Sequence, residues 1–226
     1  MKVSGIILAG GSSTRYGTGE NKTLAMLCGR PVLEYSLRVF LGSPAVDEVV
    51  LAARAGEEAT LRALAESLSP EKPVTVVTGG KDRAESVQNA LTAAKGERVL
   101  IHDGARPLVT KELLEDCLAA LAQADGAAVA VASPDTVKLM GADGYVERST
   151  DRSRTYLIQT PQAFYREELL KLHRSLTERE GITDDCMLLE RAGRRVKLVP
   201  GRRENIKITT PADRELAEFY LKKGTE

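Results

Sequence analysis

The sequence has no tryptophan, three phenylalanines and only two histidines, His102 and His173. Two histidines disfavour a histidine-based metal centre, and a Ser-His-Asp arrangement would have to use one of them. Cysteine is nearly as scarce. Cys28, Cys117 and Cys186 stand far apart, odd in number and without C-x-x-C spacing. That pattern argues against a zinc site or a disulfide framework and for a reducing cytoplasm, with all three thiols expected in the core. Net charge is missing too: Lys+Arg and Asp+Glu balance at 32 each. Nothing in that balance attracts nucleic acid or an acidic membrane, so any anion site must be local. No run approaches the roughly eighteen apolar residues of a membrane span. The N-terminus enters an apolar strand at once, so no leader is expected either. The chemistry is left to lysine, arginine and aspartate.

What is present is ordinary globular material. The chain has 226 residues, 42% apolar and 28% charged, enough for one large domain with a substantial core. Short apolar runs alternate with longer amphipathic ones, which predicts βαβ units and a mainly parallel sheet flanked by helices. Strands are expected at 6–9, 48–53, 74–77, 99–101, 127–132 and 196–199. Helices are expected at 31–41, 57–68, 83–94, 110–124, 167–178 and 183–191. A last helix opens on Thr210-Pro211-Ala212-Asp213, an N-cap threonine with proline at the first helical position. Between Pro134 and Thr160 the rhythm breaks, with no helix pattern. "TVKLMGADGYVERST" alternates around Gly141–Gly144 and reads as a β-hairpin. Such an arm, at about 137–159, needs a cover for its apolar face; a second subunit is the economical one, and folding back on its own sheet is the alternative.

The loops at the carboxyl ends of these strands carry the functional signal, because ligands of open α/β sheets bind there. "GIILAGGSSTRYGTGENKTL" empties a buried strand into small residues followed by Arg15 and Lys22. Backbone N–H groups can approach an anion only where no Cβ interferes. The run fits neither the Walker spacing, since Asn21 precedes Lys22, nor G-x-G-x-x-G. The third loop brings Gly79, Gly80, Arg83 and Ser86; the fourth brings Asp103, Gly104 and Arg106; the fifth brings Asp135 and Thr136. Four such loops at one sheet end point to a nucleotide or a phosphorylated ligand.

"LAGGSSTRYG", "GGKDRAESV", "HDGARP", "DTVK", "TPQAF", "ITDD" and "ENIKIT" occur in that order. Together they resemble the 2-C-methyl-D-erythritol 4-phosphate cytidylyltransferase family over essentially the whole chain. The first motif alone is shared by many nucleotidyltransferases; the full set is far more selective. The resemblance implies one Rossmann-like nucleotidyltransferase domain over residues 1–226, and a homodimer built by exchanging the β-arms. It implies CTP as co-substrate with Mg²⁺ or another divalent cation, held mainly by the CTP phosphates with Asp103 as the nearest protein ligand. Arg15 and Lys22 would stabilise the transition state on those phosphates. Ala9, Gly10 and Gly11 would hold the nucleotide through backbone groups, Gly80 and Ser86 would read cytosine, and Gly104 would sit by the ribose. Thr136, Arg152, Thr160 and Lys207 would position the acceptor phosphate, with Arg152 and Lys207 counted in the catalytic set and Arg152 supplied by the partner's arm. Arg106 is a further acceptor-binding candidate, and Asp103 would also lie near the sugar hydroxyls. The family pattern around the lysine is Pro-Lys-Gln, whereas this chain has Asn21-Lys22-Thr23. A ribitol 5-phosphate cytidylyltransferase shares most of these motifs and stays open as an alternative acceptor reading. An inactive nucleotide-binding regulator is the alternative from another class.

Other polar residues have simpler readings. His102, at a strand end, is expected to be a structural hydrogen-bonder. Asp184-Asp185 reads as the start of a helix, not a metal dyad. Arg194-Arg195 and Arg202-Arg203 read as solvated surface or backbone contacts.

Overall fold

The computed structural model describes residues 1–10, 21–176 and 181–224. Gly11 and Arg15 therefore lie outside the described residues. The elements are β1 (Val3–Leu8), β2 (Met26–Leu27), β3 (Arg30–Pro31), α1 (Val32–Gly42), β4 (Glu48–Ala53), α2 (Glu58–Ser67) and β5 (Val74–Thr78). They continue with α3 (Arg83–Ala93), β6 (Arg98–Asp103), α4 (Lys111–Leu121), β7 (Gly126–Ala132), β8 (Lys138–Met140), β9 (Val146–Ser149) and β10 (Tyr156–Tyr165). The remainder are α5 (Arg166–Arg174), α6 (Cys186–Arg191), β11 (Val196–Pro200) and α7 (Pro211–Lys223).

Seven strands form one sheet in the order β11-β7-β10-β6-β1-β4-β5. β1 runs parallel to β4 and β6, β4 to β5, and β11 to β7. Only β10 is antiparallel, wedged between β6 and β7. The central strands are apolar on both faces because helices cover both. Leu33, Leu37 and Phe40 of α1, Leu61 of α2 and Leu113, Leu114 and Leu121 of α4 pack with Ile7 and Leu51 on one face. Val87 and Leu91 of α3, Leu169 of α5 and Leu188 of α6 pack with Ile6 and Val50 on the other. Successive residues of one strand thus feed opposite cores. A smaller cluster of Leu27, Val32, Ile208 and Ala217 seats α7 on the β2–β3 hairpin. The N-terminus of α7 carries a full capping box: Thr210 accepts from the Asp213 N–H, and Asp213 accepts from the Thr210 N–H.

Two local expectations are corrected, and one segment that the strand and helix patterns leave unassigned is a strand. The segment "YLIQTPQAF", which has no clear strand pattern because Pro161 interrupts it, is the long strand β10. It tolerates the proline because its pairing to β7 shifts register between Ile158 and Gln162, around a cis Thr160–Pro161 bond. The interval 134–160 does hold one helical turn, a 3₁₀ turn at Arg152–Arg154 in which the Asp151 carboxylate accepts the Ser153 N–H. Cys28 is not a core residue. It is exposed at the tip of the β2–β3 hairpin with φ +45°, followed by Gly29 at φ +81°, as a two-residue hairpin turn requires. Cys117 and Cys186 are buried as expected, and burial raises the Cys117 thiol to about 12.

The β8–β9 hairpin pairs only with itself. Gly144, at φ +83°, closes its turn, and the Gly141 N–H donates to the Tyr145 carbonyl at 2.9 Å. Met140, Tyr145 and Val146 are 73%, 76% and 63% exposed. Apolar exposure continues down the start of β10 through Tyr156, Leu157 and Ile158.

Candidate active site

Sheet register brings the loops together. Leu8, the last residue of β1, pairs with Asp103 on one side and Ala52 on the other, and Ala53 pairs with Thr78. The carboxyl ends of β1, β4, β5 and β6 therefore finish at one level. Three clusters of side chains and backbone stand there.

The first is the end of β1. The Ala9 and Gly10 N–H groups both donate to the Ala52 carbonyl, at 2.9 and 3.0 Å. Lys22 returns to this point, half-buried, between buried Asn21 and Thr23. The second cluster is the Gly79-Gly80 turn. A Cβ at Gly79 would lie 2.8 Å from the Ala53 carbonyl oxygen, so the close approach needs glycine. The Gly80 N–H donates to Ser86 Oγ at 3.0 Å, and that hydroxyl donates to the Asp82 carbonyl at 2.8 Å. Asp82 also caps α3 by accepting from the Glu85 N–H. Gly80 and Ser86, expected to act together, are thus directly bonded.

The third cluster is centred on Asp103, which is 8% exposed. Lys207 Nζ donates to Asp103 Oδ2 at 2.6 Å, and Arg83 Nε lies 3.5 Å from Oδ1. Arg83 Nη1 also donates to Asp185 Oδ2 at 2.7 Å, and Asp185 Oδ1 meets His173 Nε2 at 3.0 Å. Burial alone would raise the Asp103 pKa. The charges of Arg83 and Lys207 and the Lys207 hydrogen bond outweigh it and hold the carboxyl well below the usual carboxylate range. Burial likewise works against ionised Asp185, and Arg83 and His173 reverse the balance.

Around this cluster a buried chain of hydrogen bonds fixes the loop after β6. The Asp103 N–H donates to Thr160 Oγ1 at 3.1 Å. A backbone carbonyl can only accept, so the 3.0 Å contact between His102 Nε2 and the Arg106 carbonyl is an N–H donation. Nδ1 is then the acceptor and receives the Thr160 hydroxyl proton at 2.9 Å. Burial lowers the His102 pKa to about 4, so the ring is neutral at pH 7. Arg106 Nη1 donates to the Asn205 carbonyl at 2.8 Å. Asn205 in turn donates to the Thr160 carbonyl at 2.9 Å. Gly104 lies where β1 and β6 converge: its N–H donates to the Leu8 carbonyl at 2.9 Å, and a Cβ would lie 2.9 Å from the same oxygen.

Asp103, Gly104, Arg106, Thr160 and Lys207 are therefore gathered by direct bonds or chain adjacency, with Ala9, Gly10, Lys22, Gly80 and Ser86 at neighbouring strand ends. Thr136 and Arg152 are instead exposed, on either side of the β8–β9 hairpin. Asp184 and Asp185 open α6 as expected, Asp185 at its N-cap position, but their side chains part. Asp184 Oδ1 accepts from the Met187 N–H at the start of α6, whereas Asp185 is buried against Arg83 and His173. Arg83 sits in the expected loop, but its bridge between two aspartates needs a partner 102 residues away. Asn21, Thr23 and Asn205 were also not singled out as site residues. Their only signal is amide or hydroxyl chemistry flanking Lys22 and Lys207.

Among the described residues no group of three His, Cys, Asp or Glu side chains could hold a metal. Asp103 offers one carboxylate already shared by two cations, a donor set among the described residues too small for a resident divalent cation.

The 2-C-methyl-D-erythritol 4-phosphate cytidylyltransferase family model matches residues 3–223. The proteins of that name from Clostridium acetobutylicum and Caldanaerobacter subterraneus are 39% and 41% identical to this chain. The alignments span 97% of both chains for the first, and 99% of this chain and 100% of the relative for the second. The crystal structure of 4-diphosphocytidyl-2C-methyl-D-erythritol synthase from Anaerococcus prevotii superposes with TM-score 0.86 at 33% identity, over 98% of each chain. The 2-C-methyl-D-erythritol 4-phosphate cytidylyltransferase of Thermus thermophilus gives 0.77 at 32%, over 98% of this chain and 100% of that one. The sheet and its flanking helices are thus the Rossmann-like nucleotidyltransferase fold. With a match running from strand β1 through helix α7, the chain belongs to the 2-C-methyl-D-erythritol 4-phosphate cytidylyltransferase family.

Proposed function

We propose that this chain joins CTP to 2-C-methyl-D-erythritol 4-phosphate, giving 4-diphosphocytidyl-2-C-methyl-D-erythritol and pyrophosphate. A phosphate oxygen of the acceptor attacks the α-phosphorus of CTP, and the bond from that phosphorus to the bridging oxygen of pyrophosphate breaks. The observation that carries the reading is the gathering of Lys207, Arg83 and Asp103 beside the small-residue loops at one level of the sheet. A phosphate monoester is already largely dianionic near pH 7, because its second pKa is about 6. It needs no base, which suits a crevice whose buried histidine is held neutral. Its difficulty is repulsion, one anion attacking another, and the remedy is positioning plus fixed positive charge.

In this reading Arg15 and Lys22 act on the CTP phosphates, the metal arriving with the nucleotide as its magnesium complex. Ala9, Gly10, Gly11, Gly80, Ser86 and Gly104 line the nucleotide side. Lys207, Thr160, Arg106, Thr136 and Arg152 serve the acceptor side, Asp103 standing between the two. The whole chain acts as one domain, in the cytoplasm. The arm at 137–159 is exchanged in a homodimer, bringing Arg152 to the other subunit's crevice. The β8–β9 hairpin, paired to no strand of the main sheet and exposing Met140, Tyr145 and Val146, supports this assembly. So does an open groove of about 570 Å³ beside the arm's base, lined by Val131, Tyr156, Leu198 and Pro200.

Pyrophosphate release measured with each nucleoside triphosphate against a panel of sugar and polyol phosphates tests the reading. Turnover confined to CTP with methylerythritol phosphate is expected. Equal turnover with ATP or GTP would reject the cytosine assignment, and preference for ribitol 5-phosphate would change the acceptor.

A further inference from the structure

We infer that Asn21 and Thr23 are positioning residues for Lys22, clamping its backbone to the end of β1 through a buried hydrogen-bond network. The inference rests on the proposed function, in which Lys22 carries charge to a phosphate.

The two side chains that bracket Lys22 are 5% and 4% exposed. Asn21 Nδ2 donates to the Ala9 carbonyl at 2.8 Å and to Glu57 Oε2 at 2.5 Å, which uses both amide protons. Asn21 Oδ1 accepts the Thr23 N–H at 3.1 Å. The Thr23 hydroxyl lies 3.0 Å from the Ala9 carbonyl oxygen and 2.9 Å from Asn21 Oδ1, one proton serving two acceptors. Because a carbonyl and a carboxylate can only accept, the amide must present its nitrogen to both, and its orientation is unambiguous.

The backbone is tied at the same place. The Leu24 N–H donates to the Asn21 carbonyl at 2.9 Å, so Lys22 is the second residue of a turn. The Thr23 carbonyl takes the Leu33 N–H at 2.8 Å, one of the donors that the first turn of α1 leaves without a helical partner. Glu57 immediately precedes α2. The turn is therefore fastened to the ends of one strand and two helices.

This arrangement has a use beyond filling space. Burying an amide and a hydroxyl costs desolvation that apolar residues of the same volume would avoid. What the polar pair supplies is direction. With its Cα fixed, the Lys22 side chain searches a small volume, and a displacement of about 1 Å at a reacting centre can cost about 10² in rate. Aspartate at position 21 would have nearly the same shape, yet it would set a carboxylate against Glu57 and the Ala9 carbonyl.

CTP-dependent pyrophosphate release is measured for the full chain and for Thr23→Val, Thr23→Ser and Asn21→Asp, each also combined with Lys22→Ala. Thr23→Val is expected to lower kcat about 10-fold and Asn21→Asp about 10²-fold, with both KM values within about twofold. Thr23→Ser, which keeps the hydroxyl, recovers most of the rate. In the Lys22→Ala background the same changes should move the residual rate less than about twofold, since the residue they aim is gone. Wild-type kcat in Thr23→Val, or an equal loss with and without Lys22, would overturn the inference and leave the pair as ordinary fold support. Melting curves identify a variant that fails to fold; the remaining one of the two then decides by the same comparison. No pyrophosphate release by the wild-type chain with any acceptor would defeat the proposed function and this inference with it. An active wild type with indifferent variants defeats this inference alone.

Discussion

Lys207 and Asp103, 104 positions apart in sequence, meet at 2.6 Å where β6 ends and the approach to α7 begins. The two groups differ in burial: the Lys207 side chain is 38% exposed and the Asp103 side chain 12%. Their removal should therefore have different consequences. Lys207→Ala is expected to lower kcat/KM for the acceptor about 10²-fold with a smaller loss of stability than a change at Asp103, because its side chain is the more exposed of the two. Asp103→Asn leaves Arg83 and Lys207 without their shared counter-ion and should cost about 3 kcal/mol or more of folding stability. Denaturant midpoints beside steady-state rates check both. Equal destabilisation by the two variants would contradict the asymmetry.

Stability should fall on mild acidification because of His102. Its folded pKa, lowered to about 4, lies below the ordinary 6.5, so the unfolded chain takes up a proton first as pH falls. The stability associated with the neutral ring is present above pH 6.5 and is lost between there and pH 4, to the extent of about 3 kcal/mol. Asp103 and Asp185, with lowered pKa values, contribute stability above the ordinary carboxylate pKa that is lost only at lower pH. Urea unfolding from pH 7 to pH 4.5 should show the first slope, and His102→Gln should flatten it. An unchanged slope in the variant would place the titration elsewhere.

Lys22→Ala should lower kcat by about 10²-fold or more with the fold intact, since the charge acts mainly in the transition state. Matched circular dichroism spectra and near-native kcat together would remove Lys22 from the mechanism.

Sharing of the site between subunits is testable by complementation. If Lys22→Ala and Arg152→Ala each inactivate the enzyme, co-refolding them should restore activity when the arm is exchanged. One site of a mixed dimer then carries both lesions and the other none. Random pairing makes about a quarter of all sites intact. If each arm serves its own chain, every site keeps one lesion and the mixture stays inactive, even with mixed dimers confirmed by mass.

Elements governed by local chemistry were legible in the sequence. Strand β4 runs over the expected residues 48–53, and the Thr210-Pro211 cap opens α7 where its composition indicates. The strand-end loops were legible for the same reason: glycines at close approaches are marks of backbone geometry. What escaped depends on distant partners. Pro161 hides a central strand because its tolerance is set by a register shift against β7. Nothing in the run Thr183-Asp184-Asp185 says that the second aspartate turns inward, since Arg83 and His173 become its neighbours only in the folded chain. Cys28 looks apolar in sequence, yet a hairpin tip with positive φ holds it in solvent.

The place of β10 also sets a timetable for synthesis. Among the described strands β7 does not pair with β6; β10, made after both, is the strand that joins them in the sheet. As the polypeptide leaves the ribosome at roughly 5–20 residues per second, β6 waits as an open edge until residues 156–165 emerge. The β8–β9 hairpin comes out first, at 138–149, so the exposed side chains of Met140, Tyr145 and Val146 appear while the sheet is still divided. Closure of the sheet and seating of Thr160 against Asp103 are then one event, and the loop after β6 is not held from that side before it.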